Sequence, residues 1–176
     1  MAKTPADIHL IQGERHLEAG EWAEAEAAFH RALEAGPPTA TAHSKLGVAL
    51  VHQRRLAEAE QAFVRAVTLD PAHAPAWSNL GNVYRETGRL EEALQAYQRA
   101  IAADPDYWIA HQNLGGLYKQ MGRTGEAIAA MKKATRLAAR APFRRHREAG
   151  GGRRIGCLSG AAVFLVLLAA AAALAF

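Results

Sequence analysis

Apolar and polar positions follow a helical rhythm through most of the chain. In residues 74–107, Trp77, Leu80, Gly81 and Tyr84 stand at i, i+3, i+4 and i+7, one stripe of a helix. Ala93, Tyr97 and Ala100 make the matching stripe of a second helix. Gly88 falls where the first helix must end, the usual place for a left-handed residue, and Pro105 halts the second. Small residues at Gly81, Ala93 and Ala100 let two helix backbones approach closely, and aromatic side chains fill the gaps between turns. No strand is predicted. After residue 141 the rhythm stops, and residues 155–176 are uncharged and mostly apolar.

The pattern recurs at a fixed offset, the step that carries His43 onto Trp77 and Trp77 onto His111. The slots of Trp77, Leu80, Gly81, Tyr84, Ala93, Tyr97, Ala100 and Pro105 hold His43, Leu46, Gly47, Leu50, Ala59, Phe63, Ala66 and Pro71 in residues 40–73. In residues 108–141 they hold His111, Leu114, Gly115, Tyr118, Ala127, Met131, Ala134 and Ala139. In residues 6–39 they hold His9, Gln12, Gly13, His16, Ala25, Phe29, Ala32 and Pro37. This pattern resembles the tetratricopeptide repeat family, whose W-x2-L-G-x2-Y…A-x3-F…P signature it reproduces, with departures at Gln12 and His16. The resemblance covers residues 6–141 and implies an all-α fold: a right-handed superhelical solenoid of four helix-turn-helix repeats (6–39, 40–73, 74–107, 108–141). One helix pair cannot bury its apolar side alone, so neighbours stack and leave a concave inner face.

The terminal run adds a different expectation. Twenty-two helical residues reach roughly 33 Å, enough for a hydrocarbon core of about 30 Å. Charge points the same way. Residues 1–141 hold 16 Lys/Arg and 16 Asp/Glu, whereas residues 142–176 hold Arg144, Arg145, Arg147, Arg153 and Arg154 against Glu148 alone. Residues 142–154 therefore read as a basic juxtamembrane linker and residues 155–176 as a single transmembrane helix resembling a tail anchor. Arginines on its N-terminal side predict that the repeats face the cytoplasm and draw anionic lipid. Alanine- and arginine-rich usage favours a bacterial inner membrane. Gly156 and Gly160 form a G-x-x-x-G through which two such helices could dimerise. Cys157, the only cysteine, excludes an intramolecular disulfide and reads as an inert packed thiol. The opening stretch MAKTPADIHLIQGERH has no long apolar run, so no cleavable secretory signal is expected.

Candidate chemistry is sparse. His9, His43 and His111 share the Trp77 slot, about 10 Å apart in packed helices, too far to converge on a metal with 2.0–2.1 Å Zn–N bonds. Carboxylates in GEWAEAEAAF and GRLEEAL lie opposite the apolar stripes, as solvated faces do. No phosphate loop or nucleophile setting is present, and the electrically neutral repeat region argues against a nucleic-acid partner. Neither an enzyme nor a cofactor is expected.

The family resemblance implies that the first helix of each repeat lines a peptide- or protein-binding groove. Asn79 and Asn113 occupy the same slot in successive repeats and would stack along it, and carboxamides both donate to and accept from a peptide backbone. The pair resembles the asparagine ladders of longer superhelices of this kind, although Lys45 fills the slot in the second repeat. Asn82, Ser78, Gln112, Arg85 and Lys119 add polar groups. A two-carboxylate clamp for chaperone C-termini is not expected, because Ser78, Thr41, Pro75 and Ile109 occupy slots that should hold clamp residues. The expectation is a membrane-anchored adaptor binding a peptide or protein in its cytoplasmic groove. Alternatives are an assembly factor acting through outer or end surfaces, chiefly Met131–Leu137, and the N-terminal part of a larger repeat-containing enzyme.

Overall fold

The computed structural model describes the backbone of residues 3–148 and the side chains of residues 3–140. Eight α-helices and no strand occur among the described residues: α1 (Pro5–Ala19), α2 (Trp22–Glu34), α3 (Ala40–His52), α4 (Leu56–Leu69), α5 (Ala74–Glu86), α6 (Leu90–Ala103), α7 (Trp108–Gln120) and α8 (Thr124–Glu148). Consecutive helices pack as pairs (α1 with α2, α3 with α4, α5 with α6), and each pair stacks on the next through α2–α3, α4–α5 and α6–α7. The first helices also touch one another, α1 to α3, α3 to α5 and α5 to α7, and so form one continuous inner face. The result is a helical solenoid. The last described helix runs through Arg144, Arg145 and Arg147, whose side chains are not described. Arg153, Arg154, Gly156, Cys157, Gly160 and the whole predicted membrane span lie outside the described residues. None of the helices within them is long and apolar enough to cross a membrane.

Local sequence explains the helix ends. Thr4 and Asp7 form a capping box at α1, with Pro5 in the first turn, where its missing N–H costs nothing. Thr39 caps α3 by accepting from the Ala42 N–H, and the His73 ring nitrogen does the same for α5 from Ala76. The turns inside the pairs need a left-handed residue, and Gly20, Gly88 and Gly122 supply it with φ of 76°, 80° and 76°. The second repeat has no glycine there: Arg54 takes the position at φ 63°. Asp70 and Asp104 end α4 and α6 and accept from the N–H groups of Ala72 and Asp106, making tight turns ahead of the next pair.

A glycine-to-aromatic contact sets the spacing within each pair. A Cβ placed on Gly13, Gly47 or Gly81 would meet the rings of Phe29, Phe63 and Tyr97 at 2.4, 2.7 and 2.6 Å, well inside van der Waals contact. Those three rings are fully buried. In the fourth repeat the partner of Gly115 is Met131, which is 40% exposed.

Adjacent pairs are also strapped by charge. Arg55 Nη1 lies 2.7 Å from Glu26 Oε2, and Arg89 Nη2 lies 2.6 Å from Glu60 Oε2, the same contact one repeat on. Arg123 is the third member of the series. Each of these arginines also pairs three residues on, with Glu58, Glu92 and Glu126, but Arg123 has no strap among the described residues because Leu94 stands where the partner carboxylate would be.

Candidate functional site: the inner face of the first helices

Helix α5 carries four of the eight predicted groove residues, and its period splits them between interior and surface. Ser78 faces inward and is fully buried, so its hydroxyl is packing rather than groove surface. It accepts a 3.1 Å hydrogen bond from Asn113 Nδ2, tying α7 to α5. Asn82 Oδ1 accepts a 2.7 Å bond from the buried Tyr97 hydroxyl, tying α5 to α6. Burial pushes the Tyr97 phenol up to about 12, which keeps it protonated and donating. Two of the three asparagines therefore brace helices. Asn79 is different: its carboxamide has no hydrogen-bond partner among the described residues.

Asn79 and Asn82 line one small cleft of about 140 Å³ between α3 and α5. Its other walls are Val48, Val51 and His52 of α3, Val83 and Glu86 of α5, and Phe63 behind. The volume decides what fits. Sites for small molecules and cofactors span about 300–1,000 Å³, so this cleft suits one small apolar side chain. A carboxamide stands beside it for the attached backbone. Both sides of the cleft are held in place. Glu86 accepts a 2.8 Å bond from Arg54, and His52 stacks on Trp22 with centroids 3.9 Å apart.

The remaining predicted residues are dispersed. Lys45 Nζ lies 3.1 Å from Glu14 Oε1, an ion pair across the inner face from α3 to α1. The Arg85 guanidinium lies over Gly116 of α7, within 3.3 Å of where a Cβ would stand. Lys119 is exposed, and Gln112 turns to the end of the solenoid instead. There it lines a second cleft of about 420 Å³ with Trp108, Met131, Ala134, Thr135 and Ala138.

Val48, Val51, His52 and Glu86 were missed as groove residues. The signal for the first two was present: one repeat back from Asn82 and Arg85, the same slots hold Val48 and Val51. The apolar character of those slots in the second repeat hid them from a search for polar groups. The straps Arg55–Glu26 and Arg89–Glu60 obey the same offset and were also overlooked.

Family comparisons agree with this architecture. Models described as "Tetratricopeptide repeat" match residues 12–74, 62–95 and 110–140, and one described as "TPR repeat" matches residues 81–122. Together they span residues 12–140. No curated protein matches the sequence. Among solved structures, MamA is similar at 26% identity and a TM-score of 0.69, over 80% of this chain and 82% of that one. PilF of Pseudomonas aeruginosa is similar at 25% identity and a TM-score of 0.71, over 85% and 78%. YrrB, described as a TPR protein with an unusual peptide-binding site, shares the fold at 24% identity and a TM-score of 0.63, over 82% and 75%.

Proposed function

Because the chain belongs to the tetratricopeptide repeat family, we propose that it is a non-catalytic adaptor whose inner face holds an extended segment of a partner protein. One observation carries the reading: the Asn79 carboxamide, unbonded among the described residues, stands at a cleft floored by Val48 and Val51. A carboxamide matches both halves of a peptide group, and the cleft takes the adjoining side chain. That YrrB has a peptide-binding site is a property of YrrB; it is consistent with this use of the shared fold.

The same proposal places the adaptor at a membrane. Residues 155–176 are long enough and apolar enough to cross one, and Arg153 and Arg154 precede them on the side expected to face the cytoplasm. The site is tested by Asn79→Ala, which should weaken partner capture from solubilised membranes while leaving thermal melting unchanged. Val48→Ala should also weaken capture, at a small cost in melting temperature because Val48 packs on the core. Equal capture by both variants would move the site elsewhere. The anchor is tested by fractionation: intact protein left soluble after a carbonate wash would overturn it.

A second reading is favoured by the end of the solenoid. Ile128 and Met131 are 50% and 40% exposed beside the cleft of Trp108 and Gln112. That surface suits an assembly factor joined end-on to another protein. Crosslinks at Met131 rather than Asn79 would select it.

A further inference from the structure

The outer side of the first two repeats holds a larger cleft that the groove reading does not use. It measures about 330 Å³ and lies between α2 and α4, with α3 as its floor. Leu33, Leu46, Leu50 and Ala62 supply apolar walls, and His43 stands in the floor. Its Nδ1 is shut off from solvent and has no hydrogen-bond partner among the described residues. Burial, with Arg65 and His30 nearby, depresses the basicity of this ring and favours its neutral form.

The chain shows what belongs in such a slot. His43, Trp77 and His111 are equivalent, one repeat apart. One repeat on, the Trp77 indole packs against Val67, the counterpart of Leu33, and its Nε1 donates to the Pro71 carbonyl at 3.0 Å. His111 bonds the equivalent Pro105 carbonyl at 3.1 Å. At position 43 a smaller ring leaves space, and one of its nitrogens is unpaired among the described residues. A half-turn of that ring about its Cβ–Cγ bond exchanges Nδ1 with Cδ2, and this is the orientation that a donor entering the cleft requires. The volume lies at the bottom of the range for ligand sites, room for one large aromatic side chain rather than a cofactor.

Charge narrows the ligand. Glu26 is taken up by Arg55 and Gln53, and Glu58 by Arg55. Arg65 borders the cleft with no ion pair among the described residues. The charge left for a ligand is positive.

We propose that this outer cleft receives a tryptophan side chain of a partner protein, its indole N–H donating to His43 Nδ1 and an adjacent carboxylate meeting Arg65. The surface is separate from the inner groove, so the two are tested independently.

The probe is N-acetyl-tryptophan, which joins an indole to a carboxylate, titrated into the full-length chain in detergent while the His43 ring nitrogens and the Ala62 methyl are followed by NMR. Saturable shifts at both residues are expected. N-acetyl-phenylalanine lacks the donor and should bind about two- to tenfold more weakly. N-acetyl-tryptophanamide lacks the carboxylate and should bind about two- to fivefold more weakly. Arg65→Ala, at an exposed position that leaves the core intact, should make the acid and the amide equal. His43→Trp should fill the slot as Trp77 does, abolishing the response and raising the melting temperature. Silence at Ala62, a preference for the acid that persists in Arg65→Ala, or equal binding of the phenylalanine probe would each overturn the proposal.

Discussion

Replacing Gly81 by alanine tests whether the glycine-to-aromatic contact sets the geometry of a helix pair. In an exposed helix the change would stabilise by about 1 kcal/mol, because alanine is the better helix former. Here the new methyl would stand 2.6 and 2.7 Å from two carbons of the Tyr97 ring. That ring is fully buried and tethered through its hydroxyl to Asn82, so it cannot swing aside cheaply. Overpacking of this kind costs about 1–3 kcal/mol, and a broken hydroxyl bond adds about 1. The propensity gain offsets part of this, leaving a net loss of about 1–3 kcal/mol. Gly115→Ala is the internal control. Its nearest side-chain atom is Cγ of the exposed, flexible Met131, at 2.7 Å, although the Ala127 carbonyl at 3.3 Å limits the relief. Its net loss should be smaller, about 0–1 kcal/mol, because Met131 is exposed and untethered, although its Cγ and the backbone behind it must still shift. Urea denaturation followed by circular dichroism resolves the difference. If Gly81→Ala proved as harmless as Gly115→Ala, the ring contact would not be what spaces these helices.

Three further outcomes follow from individual residues. Arg54→Gly should stabilise by about 0.5 kcal/mol in the same assay, since relief of the left-handed backbone outweighs glycine's entropy and one exposed ion pair; a loss of stability would contradict that balance. The Tyr97 phenol is raised by burial, so the fold favours its neutral form and loses stability as pH climbs from about 10 towards 12. Burial also raises the phenols of Tyr84 and Tyr107, so phenolate absorbance should show several late-titrating tyrosines, and Tyr97→Phe should remove one of those late components. Burial lowers the affinity of His43 and His111 for protons, so the unfolded chain takes up more of them and stability should fall as pH drops through about 6.5. A melting temperature flat from pH 7 to about 5 would refute the sign.

The periodic slots were legible in the sequence because each is a local requirement repeated from unit to unit. Leu46, Leu80 and Leu114 face the core, and Gly88 and Gly122 turn the chain, for reasons visible within one repeat. Arg54 was not legible as a left-handed residue, since nothing in arginine itself announces φ of 63°. Only its place in the repeat, in step with Gly20 and Gly88, gives it away. The groove was harder to read. Asparagine is equally suited to holding a ligand and to bracing helices, and the choice was made by distant partners, Ser78 for Asn113 and Tyr97 for Asn82. A periodic pattern shows that Asn79 and Asn113 share a slot, but it does not show which of them is already occupied.

The charged straps carry a last consequence for how the array comes apart. In a stack where each unit touches only its neighbours, the whole is as cooperative as its weakest joint. Glu26–Arg55 joins the first repeat to the second, and Glu60–Arg89 joins the second to the third. At the third joint Arg123 reaches only its own helix, and beyond it Met131 stands where the other repeats have a buried ring. The fourth repeat keeps the Asn113–Ser78 tie but lacks a strap, so it should be the first to open. Amide exchange should enter the solenoid at α7 and α8 while Ala59, Phe63 and Tyr97 are still protected.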